Sequence, residues 1–270
     1  MPVPALPVGS SLAQRLSGTP LLLLLDVDGT LSPIAPRPAD AVVPDETRRV
    51  LRELVSLPGV VVAIVTGRGV DDARRMVEVP GIWVIGNHGF ELARPDGPAT
   101  ARADVAPWEN ALDRAGRDAE AATGAHTGAF VENKRWTLSV HYRLADRRVV
   151  AELISATSAI AAAHGLRVTH GREVIEVRPP LDVDKGVAAL DLARSVGALD
   201  EDASLFYAGD DRTDEDAFRA LRQVRPTSVT VRVGDEPLRD GGATGAEFSV
   251  PDTYEMRELL EFVLCARRNE

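Results

Sequence analysis

Short apolar runs recur along the chain, and polar residues follow each of them. The runs occupy positions 21–25, 60–65, 82–85 and 205–208. Continuous runs of this length are typical of strands that are buried on both faces of a parallel sheet. Between the first two runs, Pro44, Asp45 and Glu46 have the pattern of a helix N-terminus, and apolar residues follow them at helical spacing. The pattern therefore predicts strand–helix–strand units and an α/β fold.

A different pattern begins near Trp108. It predicts a helix to position 122, strands at 129–133 and 136–142, a helix at 146–163 and a hairpin formed by 166–169 and 174–177. We interpret it as an α-β-β-α-β-β domain inserted into the core. The expected boundaries are 1–104 for the first part of the core, 105–178 for the inserted cap and 179–270 for the second part of the core. The Pro-rich start, at 1–17, is expected to be a loose segment.

After Lys185 the core pattern resumes with a helix, a strand that ends at Gly209, and helices at 213–221 and 253–266. The expected fold class is α/β, with a doubly wound parallel sheet as the core and an inserted α/β cap. Open sheets of this kind bind ligands at the carboxyl ends of their strands. We therefore expect a ligand-binding site at that edge, in a cleft between core and cap.

Charge and cysteine content narrow the range of partners. The formal net charge is −10, and no Lys/Arg block reverses it locally, which argues against nucleic acid or an acidic membrane as a partner. The apolar run at 21–25 is too short for a signal peptide or a membrane span. A lone cysteine, Cys265, forms no internal disulfide. We expect a cytoplasmic monomer that acts on a small molecule.

Acidic and hydroxyl residues follow the predicted strands. Asp26 and Asp28 come directly after the first strand, although Asp-x-Asp-Gly alone fits a simple turn equally well. Three further segments have comparable positions: Thr66-Gly67-Arg68, Asp184-Lys185-Gly186 and the acidic stretch 209–216. Together the four segments supply two carboxylates, a hydroxyl, an ammonium group and an acidic loop. This is the inventory for phosphoryl transfer through a metal-assisted aspartyl phosphate.

In order and spacing, these segments resemble the four motifs of the haloacid dehalogenase superfamily of phosphatases. The resemblance implies that Asp26 attacks phosphorus, and that Asp28 protonates the leaving oxygen and later activates water. It also implies a Mg²⁺ ion bound by Asp26, Asp210 and the main-chain carbonyl of Asp28. Mg²⁺ is a hard cation that prefers such oxygen ligands.

The same resemblance assigns roles around the transferred phosphoryl group. Thr66 would donate its hydroxyl, Gly67 would leave room for close backbone approach, and Lys185 would oppose the phosphoryl charge. Asp211 and Asp214 would orient metal-bound water or hold Lys185, and they could cap the following helix at the same time. Arg68 could join the phosphoryl site, although a solvated surface arginine is the commoner case.

Lysine is rare in this chain, since Lys134 and Lys185 are the two lysines among 31 basic residues. A chain that otherwise uses arginine retains lysine where a compact ammonium group is needed. Lys134 lies in Glu132-Asn133-Lys134, at the turn of the first hairpin of the cap. A solvated turn is the simpler interpretation of this tripeptide. We favour the alternative, in which the turn binds sugar hydroxyls.

A narrower resemblance, to the trehalose-6-phosphate phosphatases, covers about residues 20–265. It is carried by the segments 25–34, 86–89, 131–134 and 209–218. It implies that Glu132, Lys134 and Glu176 of the cap contact the disaccharide. It also places Asn87 and His88 in the substrate pocket near the junction of core and cap, although Asn-His-Gly fits a tight turn equally well.

Arg143 is a further candidate for substrate contact, because it shares one face of a predicted strand with His141. Packing within the cap is an equally good interpretation of both residues. The reaction implied by the two resemblances is Mg²⁺-dependent hydrolysis of trehalose 6-phosphate, a step of trehalose biosynthesis.

Two alternatives stay open. The first keeps the chemistry and changes the substrate to sucrose 6-phosphate, mannosyl phosphoglycerate or another phosphorylated glycoside. The second is a non-catalytic regulatory subunit that binds a sugar phosphate. A silent relative could lose Asp26 or Asp28 and keep its fold, whereas every catalytic position is filled here.

Overall fold

The computed structural model of the protein describes residues 4, 8–171, 173–235 and 243–269. The chain divides into two compact units. The core unit consists of Met1–Thr100 and Val183–Glu270, and the insert unit is Ala101–Asp182. The insert is thus four residues longer at each end than the expected 105–178. In its C-terminal extension, Asp182 lies 3.7 Å from Arg167 of the insert.

The described residues form helices and strands in an alternating order. The helices are α1 (Ser10–Arg15), α2 (Asp45–Val55), α3 (Val70–Val77), α4 (Glu109–Thr123), α5 (Val150–Ala163), α6 (Lys185–Ser195), α7 (Arg212–Val224) and α8 (Thr253–Arg268). The strands are β1 (Leu21–Leu25), β2 (Val60–Val65), β3 (Trp83–Gly86), β4 (Glu91–Ala93), β5 (Ala99–Ala101), β6 (Phe130–Asn133), β7 (Leu138–His141), β8 (Arg167–His170), β9 (Val174–Arg178), β10 (Ser204–Gly209), β11 (Val229–Val233) and β12 (Phe248–Val250). None of the described helices is long and apolar enough to cross a membrane.

The main sheet has β1 near its centre. Its strand order in the described residues is β12-β11-β10-β1-β2-β3-β4-β5. The pairs from β12 to β3 are parallel, as predicted, whereas β4 runs antiparallel to β3. The antiparallel strand at this edge is an addition to the predicted parallel sheet. A short turn at 87–89 returns the chain beside β3, and so tight a return forces antiparallel pairing.

Both faces of this sheet are covered. Leu21, Leu23 and Leu25 of β1 pack into one apolar cluster with residues of α2, α3 and α8. Leu22 and Leu24 point to the other face and pack with residues of α6 and α7. Because successive side chains of a strand alternate between faces, an unbroken leucine run is what a doubly covered strand requires. The doubly wound α/β core is confirmed.

The N-terminal segment is partly ordered, contrary to the expectation for 1–17. Residues 10–15 form α1, and Leu12 and Leu16 are buried in the same cluster as β1. Arg15 also forms an ion pair with Glu247 at 2.7 Å. The prolines at positions 2, 4 and 7 led to the expectation of a loose segment, so this short helix was not predicted. The buried leucines explain why it is ordered. Residues 1–3 and 5–7 lie outside the described residues.

The insert unit has the predicted α-β-β-α-β-β order, from α4 to β9. Its described strands form an antiparallel sheet in the order β6-β7-β9-β8. Leu112 and Ala115 of α4 pack with Leu138 and Val177 on one face of this sheet. The alternate positions therefore lie on the opposite face, which carries the polar residues that the sequence singled out.

Candidate active site

Parallel pairing brings three of the predicted catalytic segments to one edge of the core sheet. β1 lies between β2 and β10, so the residues that follow these three strands are neighbours. Asp26 follows β1, Thr66 follows β2 and Asp210 follows β10. The main-chain N–H of Asp26 donates to the carbonyl of Ala208, which extends the β1–β10 pairing to the site.

Lys185, the first residue of α6, completes the group. Its ammonium Nζ donates to Asp26 Oδ1 at 2.8 Å and to Asp214 Oδ1 at 2.8 Å. It lies 3.9 Å from an oxygen of Asp211. Lys185, Asp26 and Asp214 are all buried. Three of the four segments predicted from the sequence therefore meet at one buried ion cluster.

Asp214 is surrounded by donors. Besides Lys185, the hydroxyl of Tyr207 donates to its Oδ1 at 2.7 Å. Its Oδ2 accepts from the main-chain N–H groups of Asp210 and Asp211, at 3.2 and 3.1 Å. Asp211 caps α7 in turn, forming a capping box with Asp214. Both predicted functions of these aspartates, holding Lys185 and capping the helix, are present in the geometry.

Sequence reasoning missed Tyr207. This residue lies within the apolar strand β10, fully buried and edge-on to Phe218 at 5.5 Å between ring centroids. The sequence could have indicated its role, because a tyrosine in an otherwise apolar strand buries a hydroxyl that needs a hydrogen-bond partner.

Three carboxylates could hold a cation. Single oxygens of Asp26, Asp210 and Asp214 lie within 4.8 Å of one another. Asp214 already accepts from Lys185, Tyr207 and two main-chain amides, so Asp26 and Asp210 are the better ligand candidates. Gly29 allows the Asp210 carboxylate to lie against the backbone of the loop after β1. It has φ +89°, and a Cβ there would overlap the carboxylate of Asp210. The donor set is hard oxygen, which fits Mg²⁺.

The charges of the cluster do not balance within its described residues, which hold four aspartates against one lysine. Burial raises the pKa of Asp26 to about 6, against the opposing charge of Lys185. Burial, together with Asp211 and Asp26, raises the pKa of Asp210 well above its usual value. A cation beside Asp26 and Asp210 would offset this surplus of negative charge.

Two members of the cluster keep their charge. Burial acts to raise the pKa of Asp211, but Lys185 and hydrogen bonds involving Asp214 and Thr213 outweigh it and lower the pKa to about 2. Burial likewise acts to lower the pKa of Lys185, but the surrounding aspartates raise it well above its usual value. Lys185 is therefore an ammonium ion that can bind an anion and cannot act as a base.

Asp28 has a different partner. Arg68 Nε donates to its Oδ2 at 2.7 Å, and Arg68 Nη2 donates to its Oδ1 at 2.8 Å. The Arg68 side chain is 8% exposed, whereas that of Asp28 is 36% exposed. The interpretation of Arg68 as a solvated surface charge is therefore wrong, whereas its role at the phosphoryl site stays a prediction. Its guanidinium group is buried beneath Asp28.

Thr66 and Gly67 lie between β2 and the turn at 87–89. The Thr66 hydroxyl accepts from the main-chain N–H of Arg68 at 3.2 Å. At Gly67, a Cβ would approach the His88 imidazole to 2.6 Å, so glycine is required by the packing of His88. The sequence interpretation had assigned this space to a phosphoryl group.

Asn87 and His88 form the turn after β3, and both have left-handed backbone with φ of 49° and 56°. Asn87 is fully buried, and its amide donates to Glu91. Its side chain supports the turn, so the prediction that Asn87 contacts substrate is not supported. His88 is close enough to Asp211 to contribute to the lowered pKa of that carboxyl.

The candidate sugar-binding residues of the insert converge on one sheet face. Register pairs Glu132 with Ser139 and Ser139 with Glu176 across β6, β7 and β9. Lys134 Nζ lies 3.3 Å from Glu176 Oε1, which also accepts from the Ser139 hydroxyl at 3.0 Å. Lys134 and Glu176 are about nine-tenths buried in their side chains. The three predicted residues are thus neighbours, and Ser139 is an addition that the sequence did not indicate.

The remaining candidates of the insert have other partners. His141 lies 2.9 Å from Glu132 and stacks on Phe130. Arg143 forms an ion pair with Glu173 at 3.1 Å, and Arg147 binds the same carboxylate. Arg143 therefore belongs to a separate ion cluster, which favours the packing interpretation over substrate contact.

Comparisons with known proteins agree with this geometry. A family model described as trehalose-phosphatase matches residues 24–248. A trehalose-phosphate phosphatase of Mycobacterium avium is 40% identical over 92% of this chain and 63% of its own length. An uncharacterized glycosyl hydrolase of Mycobacterium tuberculosis is 37% identical over 97% of this chain, which spans 19% of that protein. The chain is therefore shorter than these curated relatives, at under two thirds of their length.

Solved structures share the whole fold. The crystal structure of a trehalose-6-phosphate phosphatase related protein matches with a TM-score of 0.78 and 27% identity, over 92% of this chain and 99% of that one. A haloacid dehalogenase-like hydrolase from Bacteroides thetaiotaomicron matches with a TM-score of 0.58 and 14% identity, over 89% of this chain and 98% of that one. The second match supports the superfamily fold alone.

Proposed function

The chain belongs to the trehalose-phosphatase family, and from that premise we propose that it hydrolyses trehalose 6-phosphate to trehalose and inorganic phosphate. The observation that carries the proposal is the buried Lys185 held between Asp26 and Asp214, with Asp210 beside them. A buried ammonium group beside a carboxylate can bind a dianionic phosphate ester next to that carboxylate.

In the proposed reaction, the second carboxylate oxygen of Asp26 attacks phosphorus, because Oδ1 is the oxygen that binds Lys185. The bond between phosphorus and the sugar oxygen breaks, and the leaving oxygen takes a proton from Asp28. Water then gives a proton to Asp28 and attacks the phosphorus of the aspartyl phosphate. Inorganic phosphate leaves, and the Asp26 carboxylate is restored.

The phosphoryl oxygens would be bound by Lys185, by the hydroxyl of Thr66 and by main-chain amides near Gly67. Asp26 and Asp210 would hold Mg²⁺, with the main-chain carbonyl of Asp28 as a further ligand. When bound, Mg²⁺ reduces the repulsion between a carboxylate and the phosphate dianion. Asp211 and Asp214 keep Lys185 charged and in place.

Selection of the sugar is assigned to the insert. Glu132, Lys134 and Glu176 lie together on one face of its sheet, and they offer both acceptors and an ammonium donor for hydroxyl groups. Each carbohydrate hydroxyl both donates and accepts hydrogen bonds, so paired acidic and basic side chains suit it. A cytoplasmic location and a monomeric state are further expectations of this proposal.

The test is phosphate release, with and without Mg²⁺, from equal concentrations of trehalose 6-phosphate, sucrose 6-phosphate, glucose 6-phosphate and phenyl phosphate. We expect Mg²⁺-dependent turnover with a strong preference for trehalose 6-phosphate. A preference for another glycoside phosphate would move the proposal to that substrate. The absence of turnover on all four esters would favour the regulatory, non-catalytic alternative.

A further inference from the structure

Arg68 binds Asp28 with a two-point fork. Nε and Nη2 of one guanidinium group each donate to a different oxygen of the carboxylate, at 2.7 and 2.8 Å. A two-point contact fixes both the position and the plane of a carboxylate, whereas a single contact leaves it free to rotate. The Asp28 side chain is therefore held in one orientation.

The guanidinium group is itself fixed from its other side. Nη1 donates to Asp72 Oδ2 at 2.7 Å, and Nη2 also donates to the carbonyl of Pro38 at 2.9 Å. Asp72 lies in the first turn of α3, whose first residue is Val70. Arg68 thus links three segments: the loop after β1, the start of α3 and the 3₁₀ turn at Pro38–Asp40.

Arg68 and Asp28 differ in the exposed fraction of their side chains. The Arg68 side chain is 8% exposed and that of Asp28 is 36% exposed. The Asp28 side chain is therefore accessible to solvent, whereas that of Arg68 is covered. Arg68 can therefore influence a reaction through the carboxylate that it holds.

We propose that Arg68 is a positioning residue for Asp28 and sets the orientation in which Asp28 exchanges a proton with the leaving oxygen. The proposal rests on the proposed function, which makes Asp28 the acid and base. Proton transfer by a positioned side chain contributes about 10²- to 10⁴-fold to a rate, and a carboxylate free to rotate would lose much of that contribution.

The experiment compares two esters that differ in their need for a proton. Phenyl phosphate has a poor leaving group that requires protonation, whereas 2,4-dinitrophenyl phosphate leaves as a stable anion. The quantity measured is kcat/KM, which covers the steps up to the aspartyl phosphate. The variants are Arg68→Gln, Arg68→Lys and Asp28→Asn. Arg75→Gln is the matched control, because Arg75 contacts Asp72 at 3.2 Å from an exposed position on α3.

We expect Arg68→Gln to lower kcat/KM for phenyl phosphate by about 100-fold and for 2,4-dinitrophenyl phosphate by less than about 5-fold. Arg68→Lys should show the same split at about 10-fold, since an ammonium group supplies charge without the fork. Arg75→Gln should match the wild type on both esters. Melting temperatures of all variants verify folding, and Arg68→Lys carries the test if Arg68→Gln does not fold.

Two results would overturn the inference. Equal losses on the two esters in Arg68→Gln and Arg68→Lys would mean that Arg68 supports the fold or the phosphoryl site in general. A double variant, Asp28→Asn with Arg68→Lys, that loses the product of the two single losses on phenyl phosphate would mean that Arg68 acts independently of Asp28.

The Asp28→Asn variant distinguishes this failure from failure of the proposed function. If Asp28→Asn loses more kcat/KM on phenyl phosphate than on 2,4-dinitrophenyl phosphate while the Arg68 variants do not, only the positioning role is wrong. If Asp28→Asn shows no split, the assignment of Asp28 as the acid is wrong, and the positioning role falls with it.

Discussion

When no cation is bound, the carboxyl group of Asp210 affects how the stability of the fold depends on pH. Burial and the neighbouring aspartates raise its pKa above the ordinary value of 3.8. A carboxyl whose pKa is raised in the folded state stabilises the protein below its unfolded-state pKa, and that contribution is lost as pH rises through the folded-state pKa. At neutral pH without a cation, Asp210 should therefore destabilise the fold.

Replacing Asp210 by a neutral residue should remove this destabilisation. In a chelator at neutral pH, Asp210→Asn should melt at a higher temperature than the wild type, and the advantage should vanish near pH 4. With Mg²⁺ at about 100 times its dissociation constant, the wild type should gain about 2.7 kcal/mol of unfolding free energy, and the variant less than half of that. Thermal unfolding with and without Mg²⁺ measures both. Equal stabilisation of the two proteins by Mg²⁺ would exclude Asp210 as a ligand.

Tyr207 gives a second prediction at the residue scale. Its hydroxyl donates to Asp214 Oδ1, the same oxygen that binds Lys185. Tyr207→Phe should lower the free energy of unfolding by about 1–3 kcal/mol, because a buried carboxylate loses a donor. It should also lower kcat, since Asp214 would then draw Lys185 away from Asp26. Tyr254→Phe, at an exposed position on α8, is the matched control for loss of a phenol hydroxyl.

Urea unfolding and turnover on one ester measure the two effects of Tyr207→Phe. An unchanged kcat with the expected loss of stability would restrict Tyr207 to a structural role. Unchanged stability and unchanged kcat would contradict the hydrogen-bond network around Asp214.

The site residues that the sequence predicted lie in local motifs, whereas the role of Arg68 is defined by a partner distant in sequence. Asp26, Lys185 and Asp210 each follow a strand or begin a helix in a local motif, so pattern was sufficient. Arg68 has its main partner 40 positions away in sequence. No local pattern reports that pairing, and the arginine therefore resembled a surface charge.

At the scale of elements, core strands with continuous apolar runs were predictable, and the three-residue strands β4 and β5 at the edge of the core sheet were not. β1 and β2 are buried over nearly their whole length. β4 and β5 have three residues each and include exposed positions, so their side chains carry little apolar signal. The helix α1 was missed for a related reason, because two buried leucines within six residues are too few to establish a period.

The polar face of the insert sheet carries the third prediction. Lys134→Ala should lower kcat/KM for trehalose 6-phosphate by about 100-fold or more, because it removes an ammonium donor and leaves Glu176 without that buried counter-charge. Turnover of phenyl phosphate should change by less than about 3-fold, since that ester has no sugar hydroxyls. Arg135→Ala, at an exposed neighbouring position, is the control. Equal losses on both esters would contradict the assignment of the sugar site to this face.

At the scale of the molecule, the two-unit organisation followed from the change of pattern near Trp108. The boundaries differed by four residues because contacts, and not composition, define where a unit ends. The site chemistry lies wholly within the core unit, whereas the candidate sugar ligands lie wholly within the insert unit. This division predicts that core variants affect all phosphate esters and that insert variants affect sugar phosphates selectively.

The central claim is that Asp26 forms a covalent phosphoryl intermediate. The most direct measurement is to quench the enzyme with acid during turnover of trehalose 6-phosphate, reduce the product with borohydride, and locate the modified residue by peptide mass spectrometry. Borohydride converts an aspartyl phosphate to homoserine, so we expect homoserine at position 26 and at no other aspartate, and none in Asp26→Asn. Phosphate release that persists in Asp26→Asn, or homoserine at another position, would contradict the account.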